Sequence, residues 1–237
     1  MTPIQQLMLG VGASKKTYLD DVFSTHLYIG NETAARNINN GIDFANNGGM
    51  VWFKPRDESW HHRMWDTERG ATQYIYPNRD VAGVADANGQ DSSMFNAFNN
   101  NGFQIAKDDS YAGTNYNNQQ YASWSFRKAP GFFTIKEYTG TGSTQSLTHD
   151  LDSIPGCIMV KRTDTTADWG VYHRGQNGGV DPEDYRLKLN SNTTQNNDTY
   201  WGDTAPTATH FTVGDSHSEV NASGGTYIAY ILSLIHI

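Results

Sequence analysis

Apolar and polar residues alternate with a period of two along most of this chain, the signature of β-strands rather than of amphipathic helices. In the N-terminal part the pattern predicts strands in FSTHLYIG from Phe23, at Met50 to Lys54 and in YASWSFR from Tyr121. Further on it predicts them in IKEYTG from Ile135, CIMVK from Cys157, WGVYH from Trp169, YRLKLN from Tyr185, HFTVG from His210 and YIAYIL from Tyr227. NINNG at Asn37, NNGG at Asn46, NNNG at Asn99 and TNYNNQQ at Thr114 read as turns, because Gly and Asn tolerate positive φ. The one helical turn predicted spans Ser92 to Phe98. An antiparallel layer normally sends one face to the core and one to solvent, so YIAYI is expected to be half-buried.

The two sets of strands echo each other. YIGN at Tyr28 returns as YTGT at Tyr138, 110 residues on, and GGMVWFKPRD at Gly48 returns as PGCIMVKRTD at Pro155, 107 on. RG at Arg69 returns at Arg174 (105), GFQI at Gly102 as HFTV at His210 (108), and YASW at Tyr121 as YIAY at Tyr227 (106). Each match is weak alone, but five in one order at nearly one offset indicate a duplicated unit of about 107 residues, too long for a solenoid repeat. The predicted architecture is all-β: two tandem antiparallel β-sandwich domains at 23–129 and 131–231, the second truncated at its C-terminal end. A leader or linker at 1–22 precedes them, and the short connector at Pro130 and Gly131 makes them close neighbours. The last six residues, LSLIHI at 232–237, match the in-frame translation of a mosaic-end sequencing adaptor and are expected not to belong to the native protein.

Composition narrows the function classes. A net charge of −8 and sparse basic residues argue against a nucleic-acid partner. LMLGVGA from Leu7 is too short to cross a bilayer and lacks a preceding basic stretch, so neither a signal peptide nor a transmembrane segment is expected. With Cys157 as the single cysteine, no internal disulfide is available. Sequons at Asn31, Asn192, Asn197 and Asn221 are of the kind chance produces in a chain this rich in Asn and Thr.

No catalytic residues are expected. The six glutamates, Glu32, Glu58, Glu68, Glu137, Glu183 and Glu219, never form the E-x-D-x-E strand pattern of laminarinase-type enzymes, and no nucleophile elbow, phosphate loop or zinc-protease motif occurs. His61 and His62, with His173 near the corresponding place of the second unit, read as packing residues rather than metal ligands. No cofactor is expected; Asp-rich loops at Lys107, Asp164 and Val213 are the candidates for calcium. The candidate ligand-binding residues are Trp60 and Trp201, whose polar neighbours suggest exposed stacking surfaces, and Arg69 and Arg174, each before a glycine and able to clamp a sugar hydroxyl or carboxylate. Recurrence of the Arg-Gly pair favours a structural role for it, since a fold requirement must be duplicated and a ligand site need not be.

DDVFSTHLYIGN, GIDFANNGGMVWFKPRD, WDTERGAT, YTGTG, IPGCIMVKR, WGDTAPTATHFTVG and TYIAY resemble a family of tandem-repeat virion proteins of tailed (marine) phages, from about Gly10 to Tyr230. The resemblance implies concanavalin- or laminin-G-like jelly-roll domains in a tail fibre or other virion-surface component. It implies other virion proteins as partners, contact with host-surface polysaccharide and an oligomer as a further option. It supplies no catalytic residue. The alternatives carried beside it are a carbohydrate-binding module or domain of a polysaccharide-active enzyme, and a bacterial adhesin.

Overall fold

The structure is a computed structural model that describes residues 17–33, 35–85, 94–107, 113–215 and 217–233. The strands of the N-terminal half are β1 (Phe23–Ile29), β2 (Arg36–Asn39), β3 (Gly49–Pro55), β4 (Arg63–Asp66), β5 (Gln73–Ile75), β6 (Val84–Ala85), β7 (Phe95–Asn99), β8 (Gly102–Ile105) and β9 (Gln120–Arg127). Those of the C-terminal half are β10 (Phe133–Thr139), β11 (Gln145–Thr148), β12 (Cys157–Arg162), β13 (Gly170–His173), β14 (Tyr185–Arg186), β15 (Asn196–Asn197), β16 (His210–Val213) and β17 (Thr226–Leu232). The first half places a six-stranded sheet, β1-β9-β3-β4-β5-β6, against a three-stranded sheet, β2-β8-β7. The second places a four-stranded sheet, β10-β17-β12-β13, against the pair β11-β16, with β14-β15 as a small separate ladder. Every pairing is antiparallel and stays within its own half.

Alternation sorts the side chains of each large sheet between two apolar layers. Val51 and Phe53 of β3 enter the first half's core with Trp65, Phe95, Phe103 and Tyr121. Tyr227, Ala229 and Ile231 of β17 enter the second half's core with Ile158, Tyr172, Trp201 and Phe211. The intervening residues do not meet solvent. Met50, Met64 and Ile75 of the first half join Ile135, Met159, Trp169, Val171, Ile228 and Tyr230 of the second in a third buried cluster. The two large sheets therefore lie back to back, and the chain stacks as four layers. This corrects the expectation of a half-buried YIAYI, since all five residues are at most 2% exposed. Burying one large apolar side chain contributes roughly 1.5–3 kcal/mol. Separating the halves would expose the whole of this layer, so their contact is a large favourable contribution to the stability of both.

Two polar devices sit in this apolar layer, and both are closed by partners from the opposite half. Asp66, fully buried, accepts from Arg69 Nε at 2.7 Å and from the Tyr230 hydroxyl at 2.7 Å. Burial holds that hydroxyl protonated, with its pKa well above the usual tyrosine value, so it remains a donor. Lys161, also fully buried, donates from Nζ to the carbonyls of Ala167 (2.8 Å), Arg162 (2.9 Å) and Asp80 (3.1 Å). Asp80 belongs to the first half, and its carbonyl also accepts from Ala167 N at 2.8 Å. Trp169 Nε1 donates to Tyr76 O at 3.0 Å, and Gly83 N to Thr163 O at 3.0 Å, adding two more bonds across the boundary.

The duplication extends to individual hydrogen bonds. Tyr28 Oη donates to Thr114 O and Tyr138 Oη to Val220 O, each at 2.6 Å. The next residues, Asn115 and Asn221, are fully buried. Asn115 Oδ1 accepts from Asn31 N at 3.1 Å while its Nδ2 donates to Ala106 O (3.0 Å) and Thr33 O (3.1 Å). Asn221 repeats this with Thr141 N (2.9 Å), Gly214 O (2.7 Å) and Ser143 O (2.8 Å). The glycine of each Y-x-G motif is required by close approach. A Cβ on Gly30 would lie 1.9 Å from Tyr116 O, and one on Gly140 would lie 2.2 Å from Ala222 O.

Several predicted segments differ. Ser92 to Phe98 is not a helical turn: Phe95 starts β7, because its ring stacks on Trp65 at 5.3 Å inside the core, while Ser92 and Ser93 lie outside the described residues. NINNG is not simply a turn, since Asn37 and Asn39 flank the buried Ile38 in β2. YRLKLN yields only the two residues of β14 and an isolated bridge at Leu187. Of the leader, residues 1–16 lie outside the described residues, but Leu19–Val22 form one helical turn with Val22 fully buried and Asp21 O accepting from Arg127 Nε at 2.8 Å. At the other end Leu232 completes β17 and Ser233 N donates to Phe132 O at 2.9 Å, whereas 234–237 lie outside the described residues.

Replacing Arg69 with methionine leaves the Asp66 carboxylate buried without a cation, so denaturant unfolding of R69M should show a loss of about 3–5 kcal/mol. Lys161 gives a pH signature. Desolvation, the dominant influence, pushes its ammonium down to about 8 against the pull of nearby aspartates. The unfolded chain then holds more protons between about pH 8 and the free-lysine value near 10.4. Wild-type stability should therefore gain on that of K161M as pH rises from about 8 to 10, measured as the difference in unfolding free energy at each pH.

Candidate functional site

The four residues singled out from sequence are dispersed. Trp201 is 2% exposed and packs in the second half's core, edge-on to Tyr172 at 5.9 Å, so it offers no stacking surface. Its polar sequence neighbours belong to a 3-10 turn, Thr199–Trp201, that folds the ring inward. Arg69 is committed to Asp66 and Tyr230, with its side chain 7% exposed, and no ligand reaches it. Arg174 is exposed in the loop after β13, and it is not the counterpart of Arg69. Thr67 N donates to Gly49 O and Arg174 N to Gly156 O, both at 2.9 Å, so Arg174 stands where the first half has Thr67. The Arg-Gly match is out of register by two. By the same pairing His173 corresponds to Asp66 and not to His61 or His62. Trp60 lies half-buried before β4, with its ring edge-on to Tyr116 at 6.5 Å.

A different surface gathers chemistry. On the three-stranded sheet of the first half, Ile38, Phe103 and Phe98 form a row toward the core. The neighbouring rows, Asn37–Gln104–Ala97 and Asn39–Gly102–Asn99, face outward. With the β7–β8 turn and the one-turn helix Phe44–Asn47, they line an open groove of ≈ 540 Å³. Seven of its nine lining side chains are carboxamides (Asn37, Asn39, Asn46, Asn99, Asn100, Asn101 and Gln104), Phe98 and Ala45 complete it, and none is charged. The amides are pre-ordered. Gln104 Nε2 donates to Asn37 Oδ1 at 2.9 Å, Asn99 Nδ2 to the same oxygen at 3.4 Å, and Asn96 Nδ2 to Gln104 Oε1 at 3.2 Å. Asn101 Oδ1 accepts from Gly41 N at 3.0 Å, which ties the turn to the opposite wall.

The second half does not repeat this surface. Its outer sheet has two strands, and the outward rows are Ser146–Thr212 and Thr148–His210. A feature required by the fold should appear in both halves, as the Asn115 and Asn221 latches do. The amide groove appears in one. Its signal was present in the sequence, because Asn-Ile-Asn in NINNG alternates like a strand with one apolar face. Turn propensity of Asn masked that period.

Elsewhere among the described residues, several nucleophilic and acidic groups are buried or ion-paired. Burial pushes the Cys157 thiol up to about 11. Carboxylates pair with bases: Glu68 with Lys128 at 2.7 Å, Asp164 with Arg162 at 2.8 Å and Asp198 with Arg186 at 2.6 Å. Glu137 is raised above the usual carboxylate value by burial and by Asp66 and Glu68 beside it, but Asp66 is sealed by Arg69 and Tyr230. Among the described residues no three His, Cys, Asp or Glu side chains gather at metal-binding spacing. Parts of the Lys107 and Val213 loops lie outside the described residues. Among the described residues no helix is long and apolar enough to cross a membrane.

The chain belongs to the family described as "Domain of unknown function (DUF7483)", whose model matches residues 19–236. The match begins at the helical turn before β1 and spans both halves, so the back-to-back pair lies within one family unit. No curated protein matches the chain.

The outward amides contribute little to folding if they serve a ligand. The double variant N37A/Q104A should unfold within about 0.5 kcal/mol of the wild type, as surface replacements away from special features do.

Proposed function

We propose that this family member is a non-catalytic structural protein of a phage virion, of the tail-fibre or surface-decoration type, whose first half contacts neutral host-surface glycans through the amide groove. The observation that carries the binding part is the uncharged, carboxamide-lined groove. Each carboxamide both donates and accepts, matching a sugar hydroxyl that does the same, and pairs of them can bracket vicinal hydroxyls. Ala45 and the accessible edge of the half-buried Phe98 supply the small apolar part of the lining. So open and polar a site binds weakly and partly through water, and avidity from many copies on one particle would supply the strength. The virion setting rests on the family resemblance of the sequence. The sandwich architecture is compatible with the jelly-roll domains that resemblance implies. Other virion proteins would be its partners.

The same groove would also serve a carbohydrate-binding module attached to a polysaccharide-active enzyme. Against an enzyme reading, Glu68, Asp164 and Asp198 are each engaged by a base rather than free to act as an acid pair.

Because no charge lines the groove, binding of neutral glucans or mannans should be nearly independent of salt and unchanged by a metal chelator. NMR titration should show shifts centred on Asn37, Asn99 and Gln104, lost in N37A/Q104A, with no reducing ends released. Preference for uronate or sulfated polymers with steep salt dependence, or unchanged glycan binding by N37A/Q104A, would refute the assignment.

A further inference from the structure

The strand that ends the six-stranded sheet is unusual beside its own duplicate. β1 lies at the sheet edge, and among the described residues its only strand partner is β9; at its C-terminal end Ile29 O accepts from the Arg36 guanidinium, leaving the edge open from Phe23 to Leu27. Its Tyr28 turns into the core, so Phe23, Thr25, Leu27 and Ile29 share the opposite face. Leu27 is 57% and Ile29 58% exposed, and Tyr18 and Leu19 just before the strand are 62% and 56% exposed. These are four of the six large exposed apolar side chains among the described residues.

The equivalent strand of the second half is β10, in register through Tyr28 and Tyr138, which both stack on the tyrosine of their partner strand. There Leu27 and Ile29 correspond to Glu137 and Thr139, and His26 to Lys136. Both strands are sheet edges of one fold. β10 carries the charges that normally protect an edge from pairing with another chain, whereas FSTHLYI has no Asp, Glu, Lys or Arg.

We infer that the open edge of β1 pairs antiparallel with β1 of a second copy of this chain, joining two six-stranded sheets into one continuous sheet. A two-fold axis normal to the sheet keeps Phe23, Thr25, Leu27 and Ile29 of both copies on one face, so apolar side chains meet across the join. The strip is continuous with the buried layer between the halves. Thr25 sits beside Trp124 and Trp124 beside Trp52, whose rings meet at 6.4 Å, and Trp52 packs on the inter-half cluster. The formal charge of −8 opposes self-association, but none of it lies on this strand, and salt screens the remainder.

Sedimentation of the full chain over a dilution series tests this. The expected result is a reversible dimer, and L27E/I29T, which installs the residues the second half tolerates at the same positions, should weaken it at least about tenfold. In the unaltered protein, hydrogen exchange of β1 amides should slow as concentration rises, a readout that needs no variant. A wild-type monomer at every concentration, a dimer indifferent to L27E/I29T, or β1 exchange independent of concentration would each overturn the inference.

Discussion

The apolar layer shared by the two large sheets governs the rest of this structure. Because it exists, β3, β4, β12 and β17 are covered on both faces, and their sequences must satisfy two cores at once. Val51 and Phe53 serve one layer while Met50 serves the other, and Tyr227 and Ala229 serve one while Ile228 and Tyr230 serve the other. Polar groups enter such a layer at least cost when they are hydrogen-bonded. Asp66 and Lys161 meet that condition through atoms supplied by the opposite half. Stability and relative placement of the halves are thus the same property.

Duplication separates what the fold needs from what it does not. The tyrosine hydroxyl caps, the buried asparagines and the close-packed glycines occur twice with matching geometry. The outward surfaces have diverged. One half carries an amide groove on its outer sheet where the other carries hydroxyls, and one edge strand is apolar where the other is charged. Each difference lies where folding imposes no constraint, which is where selection for contact with other molecules can act.

Much of the fold was legible in the sequence. The period of two located β1, β3, β9, β10, β12, β16 and β17, and the near-constant offset identified the duplication. Burial on the second face was not legible. A strand covered on both sides and one covered on a single side read alike when Tyr, Ile and Ala alternate, and nothing local in YIAYI announces Met64 and Ile75 above it. The β7 strand was hidden by a bulge between Phe95 and Ala97 that breaks its period. The candidate site was missed for a related reason. Asn marks turns by propensity, so Asn37, Asn39 and Asn99 were read as punctuation, whereas tertiary pairing places them on a sheet face. Trp201 failed in the opposite sense, because polar neighbours in a tight turn say little about where its ring points.

The central claim is that the halves stand or fall together through the layer they share. Equilibrium denaturant unfolding followed by resolved NMR signals from Phe103 in the first core and Phe211 in the second tests it directly. A shared layer requires both signals to disappear at one midpoint in a single transition. Two separated midpoints, with one core retaining native signals after the other has unfolded, would contradict it.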